Sequence, residues 1–220
     1  MGYNDSLSGH VVLDLETVAA PGCAEWLDPP KAPSNYKDPA KIAAYVEEAR
    51  AKQIETAGLE PDLCEVVAVG FRHPEHVTAS AVYTRMDGDE ADVLDYLWDA
   101  IRGRVVVGFN VLSFDLPVLI RRSQLLGVPV PNISLDRYRT PHIDLLERLS
   151  FNGKLTYRSL GFYCRRFGID VPDSVSGAQV AALVAANDWP AVAAHCRADV
   201  DKTAALAQRL GLLPRVSIPA

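Results

Sequence analysis

The chain has 220 residues, 49% of them hydrophobic and 23% charged, which suits a globular protein with a sizeable core. Its net charge of −6 argues against coating nucleic acid by bulk electrostatics. Local binding stays open, because carboxylates held for metals count as negative until the metals arrive. No apolar run approaches the roughly 18–20 residues of a membrane span.

The N-terminus lacks a basic stretch followed by an apolar one, so no signal peptide and a cytoplasmic location are expected. Met1-Gly2 with Ser6 matches the myristoylation pattern, but without a polybasic neighbour or second anchor. Cys23, Cys64, Cys164 and Cys196 are far apart and show no CxxC spacing, which reads as reduced thiols rather than disulfides or a zinc site.

The first element is a strand, His10 to Thr17, with Val11, Val12, Leu13 and Leu15 as its apolar residues. Asp14 and Glu16 are two residues apart and so point to the same side. Two anions aimed at one spot repel each other and are costly to desolvate. A divalent cation between them offsets both costs; the plain alternative is a strand running out into a solvated turn. A proline-rich loop follows (Pro21, Pro29, Pro30, Pro33) and carries Trp26, Lys31, Tyr36 and Lys37. Asp38-Pro39 reads as a helix N-cap, with apolar spacing through Ile54 and a stop at Gly58. Glu65 to Phe71 and Val77 to Tyr83 read as an antiparallel hairpin.

Asp87 to Arg102 is expected as a helix with Val93, Leu94, Leu97, Trp98 and Ile101 on one face. Val105–Val107 is a further buried strand, and a helix runs from about Asp115 to Gly127. From Ile143 onward the pattern is nearly all helical: Leu155 to Phe167, Ala178 to Ala186 and Trp189 to Leu210. Early strands and a helical second half imply a mixed α/β sandwich. Lacking repeats or a flexible linker, the chain is expected to be one domain over residues 1–220, with an insert at about 19–58.

Asp115 follows a buried strand at the mouth of a helix, where an N-cap is the plain reading. His195 and Asp199 share one helix face at i, i+4. Taken together, Asp14-Leu15-Glu16, Asn110 with Phe114-Asp115, and His195-x-x-x-Asp199 come in a definite order. That order and spacing resemble the three exonuclease motifs of the DEDD superfamily of 3′–5′ exonucleases, which have an RNase H-like fold. Further likeness lies in Gly108-Phe109-Asn110, Leu116-Pro117, His142-Ile143-Asp144-Leu145, Cys196, Val200 and Thr203. These resemble the predicted exonucleases related to the proofreading domain of family B DNA polymerases. The insert around Tyr36-Lys37-Asp38-Pro39 is similar to forms in phage and prophage genomes.

The resemblance implies an α/β RNase H-like fold with a mixed central sheet flanked by helices. It further implies that Asp14, Glu16, Asp115 and Asp199 hold two divalent ions, Mg²⁺ or Mn²⁺, about 3.5–4 Å apart. The implied activity is release of nucleoside monophosphates from single-stranded DNA 3′ ends, possible proofreading in trans for a replication polymerase included. An exoribonuclease on the same fold, or a non-catalytic nucleic-acid or polymerase-binding module, are the alternatives. Leu15, Thr17, Asn110 and Phe114 are the implied substrate contacts. In the branch resembled, a tyrosine stands four residues before the last aspartate; here it is His195. The imidazole is then a working base, a water-orienting group or a mark of weakened activity. His142 and Asp144 are candidates for the site's surroundings. Lys154, Tyr157, Arg158, Arg165 and Arg166 are candidates for phosphate contacts, and Trp26, Lys31, Tyr36 and Lys37 for stacking and steering of a single strand.

Overall fold

The computed structural model describes residues 9–74 and 79–213. Gly2 and Ser6 of the myristoylation pattern, and Val77 of the expected second hairpin strand, lie outside the described residues. The elements built by the early apolar runs are β1 (His10–Ala19), β2 (Cys64–Arg72), β3 (Ala81–Thr84) and β4 (Val105–Gly108). A two-residue strand, β5 (Ile143–Asp144), completes a sheet of order β3-β2-β1-β4-β5. The β1–β2 and β2–β3 pairs are antiparallel, and β1–β4 and β4–β5 are parallel. With helices on both faces, this is the mixed α/β arrangement expected.

Between β1 and β2 lies the insert. Its helix α1 (Pro39–Ala57) begins as foreseen: Asp38 accepts the Ala40 N–H at 2.9 Å and proline fills the first helical position. It ends at Ala57 with Gly58 as its cap, as expected, although Gly58 has an ordinary right-handed backbone (φ −62°). Glycine is needed there for space, since a Cβ would sit 3.2 Å from the Ala19 nitrogen. Thr17 Oγ1 donates to the Gly58 carbonyl at 2.6 Å and ties the insert to β1.

One face of the sheet is covered by α2 (Glu90–Ile101) and α3 (Asp115–Leu126). Leu13, Leu15, Val66, Val69, Leu94, Leu97, Trp98, Val106, Leu116 and Leu119 fill the space between. Helix α2 starts later than Asp87, because Asp89 caps it while Asp87 accepts the Thr84 N–H in the preceding turn. Buried Glu90 binds Arg122 through two bonds of 2.7 and 2.6 Å and accepts the Val66 N–H, fastening α2, α3 and β2 together.

The opposite face carries α4 (Leu145–Leu149), α5 (Leu160–Phe167), α6 (Val180–Ala185) and α7 (Trp189–Arg209), packed on Val12, Val18, Val67, Ala68 and Val107. The expected helix from Leu155 begins only at Leu160. Phe151, Asn152 and Gly153 turn left-handed (φ 55°, 58° and 80°), and the Ser159 hydroxyl caps the helix through the Phe162 N–H. Asp188 and Pro190 start α7 as a capped helix.

Two irregularities bring α7 close to β1. Glu16 pairs with Ala68 but Thr17 with Val66, so Val67 is an extra residue on β2, a bulge. Val67 and Ala68, adjacent in sequence, therefore both pack on the α7 side. Gly70, paired with Asp14, is the second: a Cβ there would lie 2.8 Å from both Cys196 Sγ and Val200 Cγ2. Gly70→Ala should push α7 off the sheet and cost about 1–3 kcal/mol of stability by overpacking. Urea unfolding checks this through a lowered midpoint at unchanged slope.

Candidate active site

β1 delivers Asp14 and Glu16 to the α7 side of the sheet. Val11, Leu13 and Leu15 point the other way into the core beneath α2 and α3, so the alternation read from sequence holds across the two acids. Leu15 still contributes its backbone N–H, a hydrogen bond that the Asp115 carboxylate accepts.

Asp115 arrives by a tight turn after β4. Asn110 sits in the left-handed region (φ 67°), which asparagine tolerates better than most residues. The turn is held from beneath by Asp144, whose two carboxylate oxygens accept the Asn110 and Leu112 N–H groups at 3.0 Å each. The same Asp144 caps α4 by accepting from Leu146 and Glu147. Asp115 is therefore in the first turn of α3 with Phe114 as the flanking residue, not itself the cap. Phe114 packs against the core. His142 is buried and its Nδ1 accepts the Val106 N–H at 3.0 Å; burial pushes its pKa down to about 4, which suits a neutral structural imidazole.

Helix α7 brings the rest. Val192, Cys196, Val200, Thr203 and Ala207 form its buried stripe, while His195, Asp199 and Lys202 form the adjacent one at i, i+4, i+7. His195 is 4% exposed, with Nε2 at 3.7 Å from Glu16 Oε1 and Nδ1 at 2.9 Å from Asp173 Oδ2. Lys202 Nζ donates to Asp199 Oδ1 at 2.7 Å and to Asp173 Oδ2 at 2.5 Å. Ligand atoms of Asp14, Glu16 and Cys196 lie within 4.8 Å of one another, and so do those of Asp173, His195 and Asp199. Pro172, Asp173, Ser174 and Val175, with Ala191, Ala194 and His195, line a cleft of about 380 Å³ on this side.

The electrostatics show how strongly these acids act on one another. Burial, then repulsion from Glu16, Asp115 and Asp199, holds the Asp14 carboxyl well above the usual carboxylate range. Burial, with Asp199, Asp115 and Asp173 nearby, pushes Glu16 up to about 8. Burial raises Asp115 to about 7 against the pull of the backbone N–H groups. Burial would raise Asp173 as well, but the Lys202 ammonium, the Val175 N–H and His195 outweigh it and hold that carboxyl low. Burial and the same acids keep Cys196 a thiol, and all four cysteines are buried and free.

Sequence reasoning named Asp14, Glu16, Asp115, His195 and Asp199, and the structure brings all five together. It missed Asp173 and Lys202. Lys202 was findable at i+3 from Asp199, whereas Asp173 is a loop residue with no periodic signal. Thr17 turns its hydroxyl proton to Gly58. Among the other candidates, Lys154, Arg165 and Arg166 are exposed, Tyr157 donates to Glu147, and Arg158 lies over the Phe162 ring. Trp26 is 63% exposed, while Tyr36 packs edge-on against Tyr45.

Residues 59–213 match a family described as predicted 3′–5′ exonucleases related to the exonuclease domain of PolB. No curated protein matches the chain. Among solved structures, the family B DNA polymerase of the hyperthermophilic archaeon Pyrobaculum calidifontis is similar, with a TM-score of 0.58 and 17% identity. The match covers 91% of this chain but only 24% of that polymerase. At that identity the likeness speaks for the fold, which is that of the polymerase's RNase H-like exonuclease domain. Among the described residues no helix is long and apolar enough to cross a membrane.

The raised carboxyls make stability depend on pH in a definite direction. An acid whose folded pKa lies above its unfolded value binds more protons when folded, so rising pH favours unfolding until the folded pKa is passed. Glu16, from 4.5 to about 8, and Asp115, from 3.8 to about 7, thus both cost stability up to those values. Buried His142 is neutral in the folded protein and loses its remaining unfolded-state charge just above pH 6.5, so it opposes the fall only slightly. In EDTA the melting temperature should therefore fall between pH 6.5 and 8. Added Mn²⁺ should raise it more at pH 8 than at 6.5, because ligand carboxylates must lose their protons to bind. Differential scanning calorimetry at the two pH values measures both effects.

Proposed function

The chain belongs to the family of predicted 3′–5′ exonucleases related to the exonuclease domain of PolB, and we propose that it removes nucleoside monophosphates from single-stranded DNA 3′ ends. The observation that carries this reading is the convergence of Asp14, Glu16, Asp115 and Asp199, four carboxylates that repel one another in a buried spot. Hard oxygen donors of this kind suit Mg²⁺ or Mn²⁺. The place already draws a cation, since the Lys202 ammonium bonds Asp199 at 2.7 Å. The four acids would hold two such ions. Bound there, they supply the charge that activates a water and stabilises the leaving 3′ oxygen.

The chain's own groups do the rest. His195 turns its Nε2 toward the acids, in position to take a hydrogen bond or a proton from the attacking water. Asp144 fixes the turn that carries Asn110 and Asp115. Asn110 and Phe114 flank Asp115, and with the Leu15 backbone and Thr17 they are the groups we assign to the terminal nucleotide. Single strands are favoured because a terminal nucleotide must leave the stack to reach a buried carboxylate cluster. Proofreading for a separate polymerase is one use of such an activity.

A single-stranded DNA oligonucleotide labelled at its 5′ end tests the reading. With Mg²⁺ or Mn²⁺ it should shorten as a ladder from the 3′ end, and EDTA or Asp14→Asn should abolish the ladder. A parallel RNA oligonucleotide decides the sugar, and no shortening of either polymer with either metal would sink the reading. Lys202→Met removes a cation that competes for Asp199, so it should tighten Mn²⁺ binding to the free protein by about tenfold or more. Isothermal titration measures that without any nucleic acid.

A further inference from the structure

We propose that Asp173 is the positioning carboxylate of this site: it accepts a hydrogen bond from the Nδ1–H of His195 and so presents a bare Nε2 to the place where water must attack. The inference rests on the exonuclease reading and extends it to a residue outside the exonuclease motifs. Asp173 lies on the loop between α5 and α6, 22 residues before His195 in the chain. Its side chain is 8% exposed and that of His195 5%, so the contact is made away from solvent.

Two donors and a ring nitrogen of His195 converge on this one carboxylate. Oδ1 accepts the Val175 N–H at 3.1 Å, which fixes the rotation of the group. Oδ2 accepts from Lys202 Nζ at 2.5 Å and faces His195 Nδ1 at 2.9 Å. With the Val175 N–H and the Lys202 ammonium both donating to it, the Asp173 carboxylate has only lone pairs to offer, so the imidazole nitrogen beside it carries the hydrogen. In a neutral ring the other nitrogen, Nε2, is then the acceptor. It stands 3.7 Å from Glu16 Oε1, too far for a hydrogen bond, and its lone pair is unspent. A tyrosine needs no such partner, because its hydroxyl can turn to suit. A histidine in its place needs the tautomer chosen for it, and Asp173 chooses it.

Asp173→Ala should lower kcat on a single-stranded oligonucleotide by roughly 10- to 100-fold, the range for a lost partner that orients an active histidine. KM should stay within about twofold, and the Mn²⁺ affinity of the free protein should fall by no more than that. Asp173→Asn keeps the shape but must set its NH2 against the Val175 N–H or against Lys202 and Nδ1, so it should leave most of the loss in place. In a His195→Ala background Asp173→Ala should cost nothing further, whereas a residue that merely braced the loop would cost the same in both backgrounds. Independently of activity, nitrogen-15 shifts of the His195 ring in the metal-free protein should show the hydrogen on Nδ1, and a mixture of tautomers in Asp173→Ala.

Unchanged kcat in Asp173→Ala, additive losses with His195→Ala, or a ring protonated on Nε2 would each overturn the proposal. Should the parent protein cut neither DNA nor RNA, the exonuclease reading fails, and the ring shifts alone decide whether Asp173 sets the tautomer. A melting temperature for each variant separates lost chemistry from lost fold.

Discussion

Like charges gathered out of water govern this molecule. Burial with repulsion from Glu16, Asp115 and Asp199 raises the proton affinity of Asp14, burial with Asp199 and Asp115 that of Glu16, and the surrounding structure is arranged around that repulsion. Backbone N–H groups of Leu15 and of Asp115 itself bond the Asp115 carboxylate. The Lys202 ammonium spans Asp199 and Asp173. None of these offsets the cluster fully, which leaves Glu16 and Asp115 holding their protons near neutrality. A cation bound there would gain affinity from the repulsion it relieves.

Bringing the acids together is the task of three elements with unlike geometry. The strand supplies two by its period of two, the helix α7 supplies one, and a turn supplies Asp115. Helix and strand come close because Gly70 leaves the helix room to lie flat and because the bulge at Val67 keeps two successive residues of β2 on the helix side. The turn cannot wander because Asp144 binds two of its N–H groups and caps α4 at the same time. Rigid placement of this kind is what lets a small set of side chains meet a substrate in one geometry.

What the sequence disclosed follows the physics of periodicity. β1, β2, α2, α3 and α7 each carry enough apolar residues at a fixed spacing to be read, and with them came the four acids and His195. β5 has two residues and no period to detect. The start of α5 was misjudged because apolar residues from Leu155 onward suggest a helix, whereas the chain stays irregular after the Asn152-Gly153 turn until Ser159 caps the helix. Gly58 does end α1, yet what requires glycine there is its close approach to β1 rather than a left-handed turn. Asp173 was invisible for a stronger reason: its partners are 22 and 29 residues away, and only the folded chain brings them within 3 Å.

The insert between β1 and β2 connects two strands that are direct neighbours, and Ala19 at its entrance pairs with Cys64 at its exit. Its ends are therefore held side by side by the sheet, whatever lies between them. The entropy of closing such a loop grows only with the logarithm of its length, about 0.6 kcal/mol for each doubling. Shortening residues 20–63 to a tight turn, or exchanging them for a foreign segment, should consequently cost little beyond the packing of Ala20, Cys23 and Ala57, the Thr17–Gly58 hydrogen bond and the Arg121–Asp62 ion pair. The hairpin is a natural splice point, where new binding surface can be added beside the acids while the strand that carries them keeps its register.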